Sequence, residues 1–400
     1  MVPHTEAVKT LTELEREGRP TGGALDIAAS CPDLPIAFPS GALRMNTHIW
    51  VLGGAGRSGR TIAAQLTERG LAAVLVSRNA NRLQAAAQQT GSETLLSTDL
   101  ADTAAEIRRQ RPAVVINTVG PFTATARGIV DACRAAGSHY IDLANDVAAL
   151  SAAFEQHDAA TQAGHTVVTG AGFGVTATES VVVKLCEGRP APLRVRVDML
   201  PSMAMEAGPA GEALIGSLLG SLEGREITDG RVVPARIFSS AQHLTLPDGS
   251  QVTTASMPLG ELLAAQRASG ARDVLSASSE APSSPVIRSV MPLVSTLMRW
   301  ERLRSFTTAR LAGMQVKAKE RPREHSWGHA VVTWADGETR EGWLRLGDAQ
   351  EYTGAVPAEV ARRLLAGEGR PGAYTPAALF GPTLAESCGA TYVLPQPDRQ

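Results

Sequence analysis

Ile49-Trp50-Val51-Leu52-Gly53-Gly54-Ala55-Gly56-Arg57-Ser58-Gly59-Arg60 is the stretch that decides the fold. An apolar run of strand length enters Gly54-x-Gly56-x-x-Gly59, and a helical pattern follows over residues 61–69. Strand, glycines and helix in this order read as the phosphate-binding turn of a dinucleotide-binding unit. Gly54 would permit the tight turn, Gly56 would let the backbone approach a pyrophosphate, and Gly59 would let the helix pack close on the strand. The helix N-terminus then offers unpaired N–H groups to the anion. Gly53, Arg57 and Ser58 lie in the same turn and are expected to bind cofactor with the three glycines. A glycine-rich surface turn is the alternative.

Outward from this turn, residues 72–76 form a short apolar run that ends in Ser77-Arg78-Asn79. The second strand should stop there, beside the adenosine ribose. An NAD site places Asp or Glu at this point to accept from the 2′-hydroxyl, whereas an NADP site offers a cation and a small hydroxyl to a 2′-phosphate. Ser77 and Arg78 are of the second kind, with Arg57 or Arg82 as further positive charge, so NADP is the expected cofactor. A solvated arginine at a strand end is the alternative for Arg78.

Residues 82–90 read as a helix, 93–98 as a short strand and 103–111 as a helix stopped by Pro112. Ala113-Val114-Val115-Ile116-Asn117 is apolar and β-branched, as in a strand buried on both faces of a parallel sheet. The loop from Thr118 to Phe122 then lies at the carboxyl end of the sheet, where ligands bind in such folds. Asn117, Val119, Gly120 and Pro121 are expected to line the cofactor there. Helices over 126–136 and 152–163 and strands over 140–143 and 166–169 continue the alternation. The fold class is therefore α/β, with a doubly wound parallel Rossmann-type sheet.

The chain has 400 residues, 44% of them hydrophobic, enough for a sizeable core. A formal net charge of -2 and an aromatic content of 4% give no electrostatic or stacking basis for nucleic acid or an anionic membrane as partner. Cys31, Cys133, Cys186 and Cys388 stand far apart without metal spacing and read as thiols in a reducing compartment. No run reaches the about 18 apolar residues of a membrane span. The N-terminus lacks the basic-then-apolar pattern of a secretion signal, so a cytoplasmic protein is expected. Residues 1–44 join one charged stretch to a Gly-, Pro- and Ser-rich one. They are expected to be a poorly ordered arm or extension ahead of a compact fold that starts at Met45.

The glycine turn, Asn117-x-x-Gly120-Pro121-Phe122, Ala132-Cys133 followed by Gly137 and Tyr140-x-Asp142, and the loop Gly172-Phe173 together resemble the saccharopine dehydrogenase-like (saccharopine reductase-like) superfamily. The resemblance covers about residues 45–185 and, more loosely, Gly372-x-x-Thr375-Pro376 to Gly381. It implies NAD(P)-dependent hydride transfer, with opine-type reductive amination and reduction of C=C bonds on lipid or polyketide-like substrates among the family's chemistries. It also implies an inserted α+β domain after the first sheet, with the chain returning at its end to pack on the first domain. Two motifs depart from the family pattern. Asn145-Asp146 stands where many members have Gly-Glu, and Gly172-Phe173-Gly174-Val175-Thr176-Ala177 stands where they have G-F-D-x-x-P.

The expected organisation is a dinucleotide-binding domain over residues 45–185 and 350–400, and an α+β substrate and dimerisation domain with an antiparallel sheet over 186–349. Residues 194–199 alternate polar and apolar, as a half-solvated antiparallel strand does, and similar pieces follow at 231–237, 243–246 and 251–256. Helices are expected over 208–222 and 261–269, and a Ser/Pro-rich connector over 277–285. Residues 286–311 carry apolar positions at helical spacing, read as core or dimer packing rather than the lining of a pocket. Residues 326–334 and 339–346, joined by Ala335-Asp336-Gly337-Glu338, form a hairpin. Closing helices follow over 356–365 and 376–387. An antiparallel sheet of this size is a common dimer surface, so a homodimer is expected.

Hydride transfer asks the protein to orient the donor carbon, exclude water and sometimes supply a proton. Candidates near the carboxyl edge of the sheet are Tyr140, Asp142, Asn145, Asp146 and Glu179. Asp142 is the first choice as a catalytic residue, with Tyr140 beside it; a turn-capping carboxylate and a packing aromatic are the respective alternatives. His243, His325, His329, Lys317 and Lys319 are isolated candidates, each read first as a surface or hairpin residue. No metal-binding spacing stands out. The expected function is an NADP(H)-dependent oxidoreductase reducing a C=N or C=C bond in a small-molecule substrate. The alternative is a non-catalytic NADP(H)-binding sensor or scaffold.

Overall fold

The computed structural model describes residues 48–205, 207–209, 223–282, 313–394 and a few positions between 300 and 311. The arm expected over 1–44, most of the helix expected over 208–222 and most of the stripe expected over 286–311 lie outside the described residues.

The first half alternates strands and helices: β1 (Ile49–Leu52), α1 (Arg57–Glu68), β2 (Ala73–Ser77), α2 (Ala80–Thr90), β3 (Glu93–Leu96), α3 (Leu100–Gln110), β4 (Val114–Asn117), α4 (Phe122–Ala136), β5 (His139–Asp142), α5 (Val147–Phe154), α6 (His157–Ala163), β6 (Thr166–Val168) and α7 (Phe173–Cys186). β1 and β4 are buried along their whole length, which is why they are continuous apolar runs rather than alternating ones. Asn79, Asp99 and Asp146 cap α2, α3 and α5 through their side chains. The helix expected over 152–163 is two helices, because the chain turns at Glu155-Gln156. The turn lets Phe154 pack under the Arg267 guanidinium and brings the His157 ring to the backbone of Ala373.

The second half comprises β7 (Arg194–Leu200), β8 (Gly208–Pro209), β9 (Arg225–Thr228), β10 (Arg231–Pro234), β11 (Gln242–Thr245), β12 (Gln251–Ser256), α8 (Gly260–Ser269), β13 (Asp273–Ser278), β14 (Gln315–Val316), β15 (Ser326–Thr333), β16 (Thr339–Leu346), α9 (Ala349–Leu365), β17 (Gly372–Tyr374), α10 (Pro376–Phe380), α11 (Thr383–Ser387) and β18 (Thr391–Val393).

Seven strands form one sheet in the order β17-β6-β5-β4-β1-β2-β3. All of its pairings are parallel. The order reverses at β1, between β2 and β4, which opens the crevice where doubly wound folds bind ligands. The second sheet runs β10-β9-β13-β7-β15-β16-β18, with β12 added on β13 and β11 on β12. It is mixed, since β13 pairs β7 in parallel while its other pairings are antiparallel.

β13 corrects the connector expected to begin at residue 277. Its Ser- and Ala-rich sequence has no strand pattern of its own, yet it is held between β7 and β9 in the sheet interior. β17 is equally illegible, being three residues that start at a glycine, yet it extends the parallel sheet beyond β6. α7 joins the two halves. Its Ala177 lies against Gly328 of β15, where a Cβ would come within 2.8 Å of the helix backbone. One apolar cluster runs from Ile49 and Ile62 through Val181 and Val182 to Val197 and Leu344, so both sheets share a core. Among the described residues no helix is long and apolar enough to cross a membrane.

Candidate functional site

The glycine turn sits at the reversal of strand order. Gly53 leaves β1 with φ +75°, and the N–H groups of Gly53 and Gly54 both donate to Val76 O, at 2.9 and 3.1 Å. The left-handed residue is thus Gly53, one position before the tight-turn glycine expected from the sequence. A Cβ on Gly54 would stand 2.7 Å from Leu75 Cβ, and one on Gly59 would stand 2.5 Å from Gly53 O and 2.7 Å from Gly54 Cα. So Gly54 is required by β2, and Gly59 by the close approach of α1 to the turn. Gly56 is the N-cap residue of α1 and accepts the first intrahelical bond, from Arg60 N at 3.0 Å. The amides of Ser58 and Gly59 precede that bond, and helix geometry leaves such groups to an outside acceptor. The first turn of α1 carries no acidic side chain to compete with an anion.

Arg57 donates to Ala204 O at 2.8 Å, after β7. Ser58 Oγ accepts from Gln350 Nε2 at 3.4 Å, at the start of α9. The turn is therefore touched from the second half at two points.

β2 ends at Ser77, which is half-buried, and Arg78 is exposed. Asn79 accepts from Arg82 N at 3.0 Å as the cap of α2, and Arg82 is exposed as well. No carboxylate occurs between Ser77 and Arg82, and this segment offers guanidinium, hydroxyl and amide groups.

The loop after β4 is braced from below. Asn117 is fully buried; its Oδ1 accepts from Val119 N at 2.9 Å, and its Nδ2 donates to Tyr140 Oη at 3.0 Å. Thr118 Oγ1 donates to Leu52 O at 2.7 Å, and Thr125 Oγ1 to Val119 O at 2.5 Å. Val119 and Gly120 are part-exposed and Pro121 is exposed, so these three present the loop's surface. Asn117 holds the loop in place.

Tyr140 is fully buried in the apolar layer with Trp50, Val115 and Cys133, and burial drives its hydroxyl well above the usual tyrosine range. Asp142 is 1% exposed, and its Oδ1 accepts from Thr169 Oγ1 at 2.8 Å, Ala144 N at 3.0 Å and Gly170 N at 3.1 Å. Burial raises its carboxyl above the ordinary value against those donors. Both side chains stitch strand ends together beneath the crevice. Asp146 caps α5 by accepting from Ala149 N at 2.8 Å. Glu179 is fully buried and accepts from Thr375 Oγ1 and from the amides of Ala377 and Ala378, tying α7 to the start of α10.

Of the isolated candidates, His329 is buried in the second sheet between Asp198 and Glu341, at 3.0 Å from each, with its ring stacked on Trp343. His325 lies edge-on to Trp327, His243 bonds Thr253, and Lys317 and Lys319 are exposed. These groups are not gathered into one site.

Glu261, which the sequence did not single out, is buried where α8 meets α7 and the loop after β5. It is 2% exposed in the first turn of α8, and its carboxyl fills the space a Cβ on Gly174 would need. Asn145 faces it from the loop after β5. With its amide nitrogen turned to the carboxyl, Asn145 donates to Glu261 Oε2 at 3.1 Å and Oε1 at 3.2 Å. In the sequence Glu261 is one more acid in a helix's first turn, a common surface pattern; only the fold supplies its partners.

Residues 49–168 match the family model for the saccharopine dehydrogenase NADP binding domain. Among solved structures the chain is similar to saccharopine dehydrogenase (L-Glu forming) from Saccharomyces cerevisiae. The identity is 14%, the match covers 88% of this chain and 100% of that one, and the TM-score is 0.55. It is also similar to homospermidine synthase from Legionella pneumophila in complex with NAD, at 11% identity, over 87% of this chain and 91% of that one, with a TM-score of 0.55. No curated protein matches the sequence. The likeness to these structures establishes the fold across both halves. The family match identifies residues 49–168 as an NAD(P)-binding domain of the saccharopine dehydrogenase type.

Proposed function

We propose that this protein is an NADPH-dependent reductase acting on a C=N or C=C bond of a small metabolite. The observation that supports the NADP preference is the end of β2, where exposed Arg78 follows half-buried Ser77 and no carboxylate occurs between Ser77 and Arg82. A planar guanidinium favours a phosphate dianion, and an acidic residue at this place would repel one. Bound NADPH supplies a hydride from its dihydronicotinamide to the electrophilic carbon, and a proton joins the other atom of the reduced double bond. The chain's own part is to seat the pyrophosphate on the α1 amides and to line the nicotinamide end with Val119, Gly120 and Pro121. The apolar layers beneath exclude water. Tyr140 and Asp142 serve by holding the strand ends that shape the crevice.

A fluorescence titration with NADPH and NADH tests this reading. Wild type should bind NADPH at least about tenfold tighter than NADH. Arg78→Ala should lose about tenfold for NADPH, the worth of one charge-assisted hydrogen bond, with little change for NADH. Equal affinity of wild type for both cofactors would sink the NADP preference, and binding of neither would sink the dehydrogenase reading. Tight NADPH binding without oxidation by any imine or enoyl substrate would favour a sensor or scaffold.

A further inference from the structure

The net charge of -2 averages over a chain that is locally one-sided. Between Glu301 and Glu320 the sequence holds five lysines and arginines and no aspartate or glutamate. Three of the five, Arg310, Lys317 and Lys319, are exposed and make no ion pair or side-chain hydrogen bond among the described residues. The same segment turns large apolar side chains outward. Trp300, Phe306 and Met314 are 71%, 69% and 57% exposed, the highest values among the described large hydrophobic residues. Unpaired cations and exposed apolar groups therefore occur together in this segment.

Residues 303, 306, 307, 310 and 311 are helical. Leu303, Thr307 and Leu311, four apart, are half-buried, and Leu311 packs against the main core. Phe306 and Arg310, also four apart, form the adjacent row and face solvent. Met314 N donates to Leu311 O at 3.0 Å, and the chain runs on into β14, which pairs with β8. Beyond β14, Lys319 pairs with Met205, which is 39% exposed. Apolar and cationic groups thus follow one another from Phe306 to Lys319 and Met205. This run adjoins the glycine turn, because Ala204, next to Met205, accepts from Arg57.

What covers such a surface must satisfy both kinds of group. A second copy of this face would set cations against cations. Nucleic acid would pair with the cations but offers methionine no apolar phase. An anionic bilayer supplies phosphates for lysine and arginine and, just beneath them, an acyl boundary for phenylalanine and methionine. We propose that Phe306, Arg310, Met314, Lys317, Lys319 and Met205 form a docking surface for an anionic lipid bilayer. The apolar side chains enter the headgroup boundary, and the cations stay at the phosphates. This docking is peripheral and independent of the cofactor and substrate readings.

The test sediments the full-length protein with vesicles of phosphatidylcholine alone and of phosphatidylcholine with about 30% phosphatidylglycerol, which supplies the negative surface potential. The protein should bind the anionic vesicles at least about tenfold more tightly, and raising salt from about 0.1 M to about 0.5 M should remove most of the difference through screening. Lys317→Gln with Lys319→Gln should weaken binding about 10- to 30-fold, at about fivefold per cation. Phe306→Ser, at unchanged charge, should weaken it about tenfold. Both variants should bind NADPH as wild type does, which reports an intact fold, and Met314→Ser takes the place of Phe306→Ser if that variant fails to fold. Equal binding to both vesicles, binding to neither, or variants that bind as wild type does overturn the proposal. A wild-type dimer that Phe306→Ser splits would give the face to a second copy and overturn it as well. Binding of duplex DNA in place of the vesicles would give the cations to nucleic acid, with the same result.

Discussion

Two buried carboxylates show what decides the fate of a charge in this protein. Asp198, on β7, and Glu179, on α7, are both fully buried, so desolvation acts first on each and raises it. Asp198 has Arg196 at 2.8 Å and His329 at 3.0 Å, and these outweigh burial and hold it at about 2. Glu179 is hydrogen-bonded by the neutral donors Thr375, Ala377 and Ala378, with the Arg267 charge acting more weakly than these, and it stays raised from 4.5 to about 7. The two signs therefore oppose. Asp198 is depressed in the folded state, so its contribution is present above its unfolded value near 4 and is lost as pH falls toward 2. Glu179 is raised, so its contribution is present below about 4.5 and is lost as pH climbs through 7. Chemical denaturation of wild type and Glu179→Gln between pH 5 and pH 8 should show wild type losing up to roughly 3 kcal/mol relative to the variant across that window. Parallel stability curves would show that Glu179 is ionised throughout.

The packing of α9 on α1 turns on a single missing methyl. A glycine inside a helix costs about 1 kcal/mol relative to alanine, so Gly354→Ala would stabilise an isolated α9. Here the added Cβ would stand 2.5 Å from Thr61 Cγ2 and 3.1 Å from the Thr61 carbonyl carbon, and overpacking of this kind costs typically 1–3 kcal/mol. The clash should win, and Gly354→Ala should lower stability by about 1 kcal/mol. Thr61→Ser, which removes Cγ2, should recover part of that loss in the double variant, and additive effects would show that the helices part freely. The same distinction between local pattern and imposed contact explains what the sequence disclosed. β1, the glycine turn and β4 were legible because their own residues carry the periodicity and the turn chemistry. β13 and β17 were not, since a Ser/Ala run and a three-residue piece become strands only through their neighbours. The close packing of Gly54 and Gly59 in the turn was legible for the first reason. Glu261 was not, because its meaning depends on Asn145 and Gly174, which only the fold brings beside it.

At the scale of the whole molecule, the last described segment enters both sheets. β17 lies at the edge of the parallel sheet beyond β6, and β18 at the edge of the mixed sheet beyond β16. Between them, α10 begins at the Thr375, Ala377 and Ala378 groups that satisfy Glu179. Two truncations separate these roles. A chain ending at Gly389 loses β18 and the partial cover that Val393 gives the Trp327–Trp343 cluster, but it keeps the Glu179 clamp. It should melt a few degrees lower and bind NADPH as wild type does, because the glycine turn belongs to the other sheet. A chain ending at Arg370 also loses β17, leaves His157 without Ala373, and strands Glu179 in the core without its donors. Removing the partners of a buried carboxyl costs several kcal/mol, a large share of an ordinary domain's margin, so this chain should lose its cooperative melt and its NADPH binding together. A cooperative transition and wild-type affinity in the shorter chain would show that the parallel sheet is complete at β6, and that the returning segment only covers it.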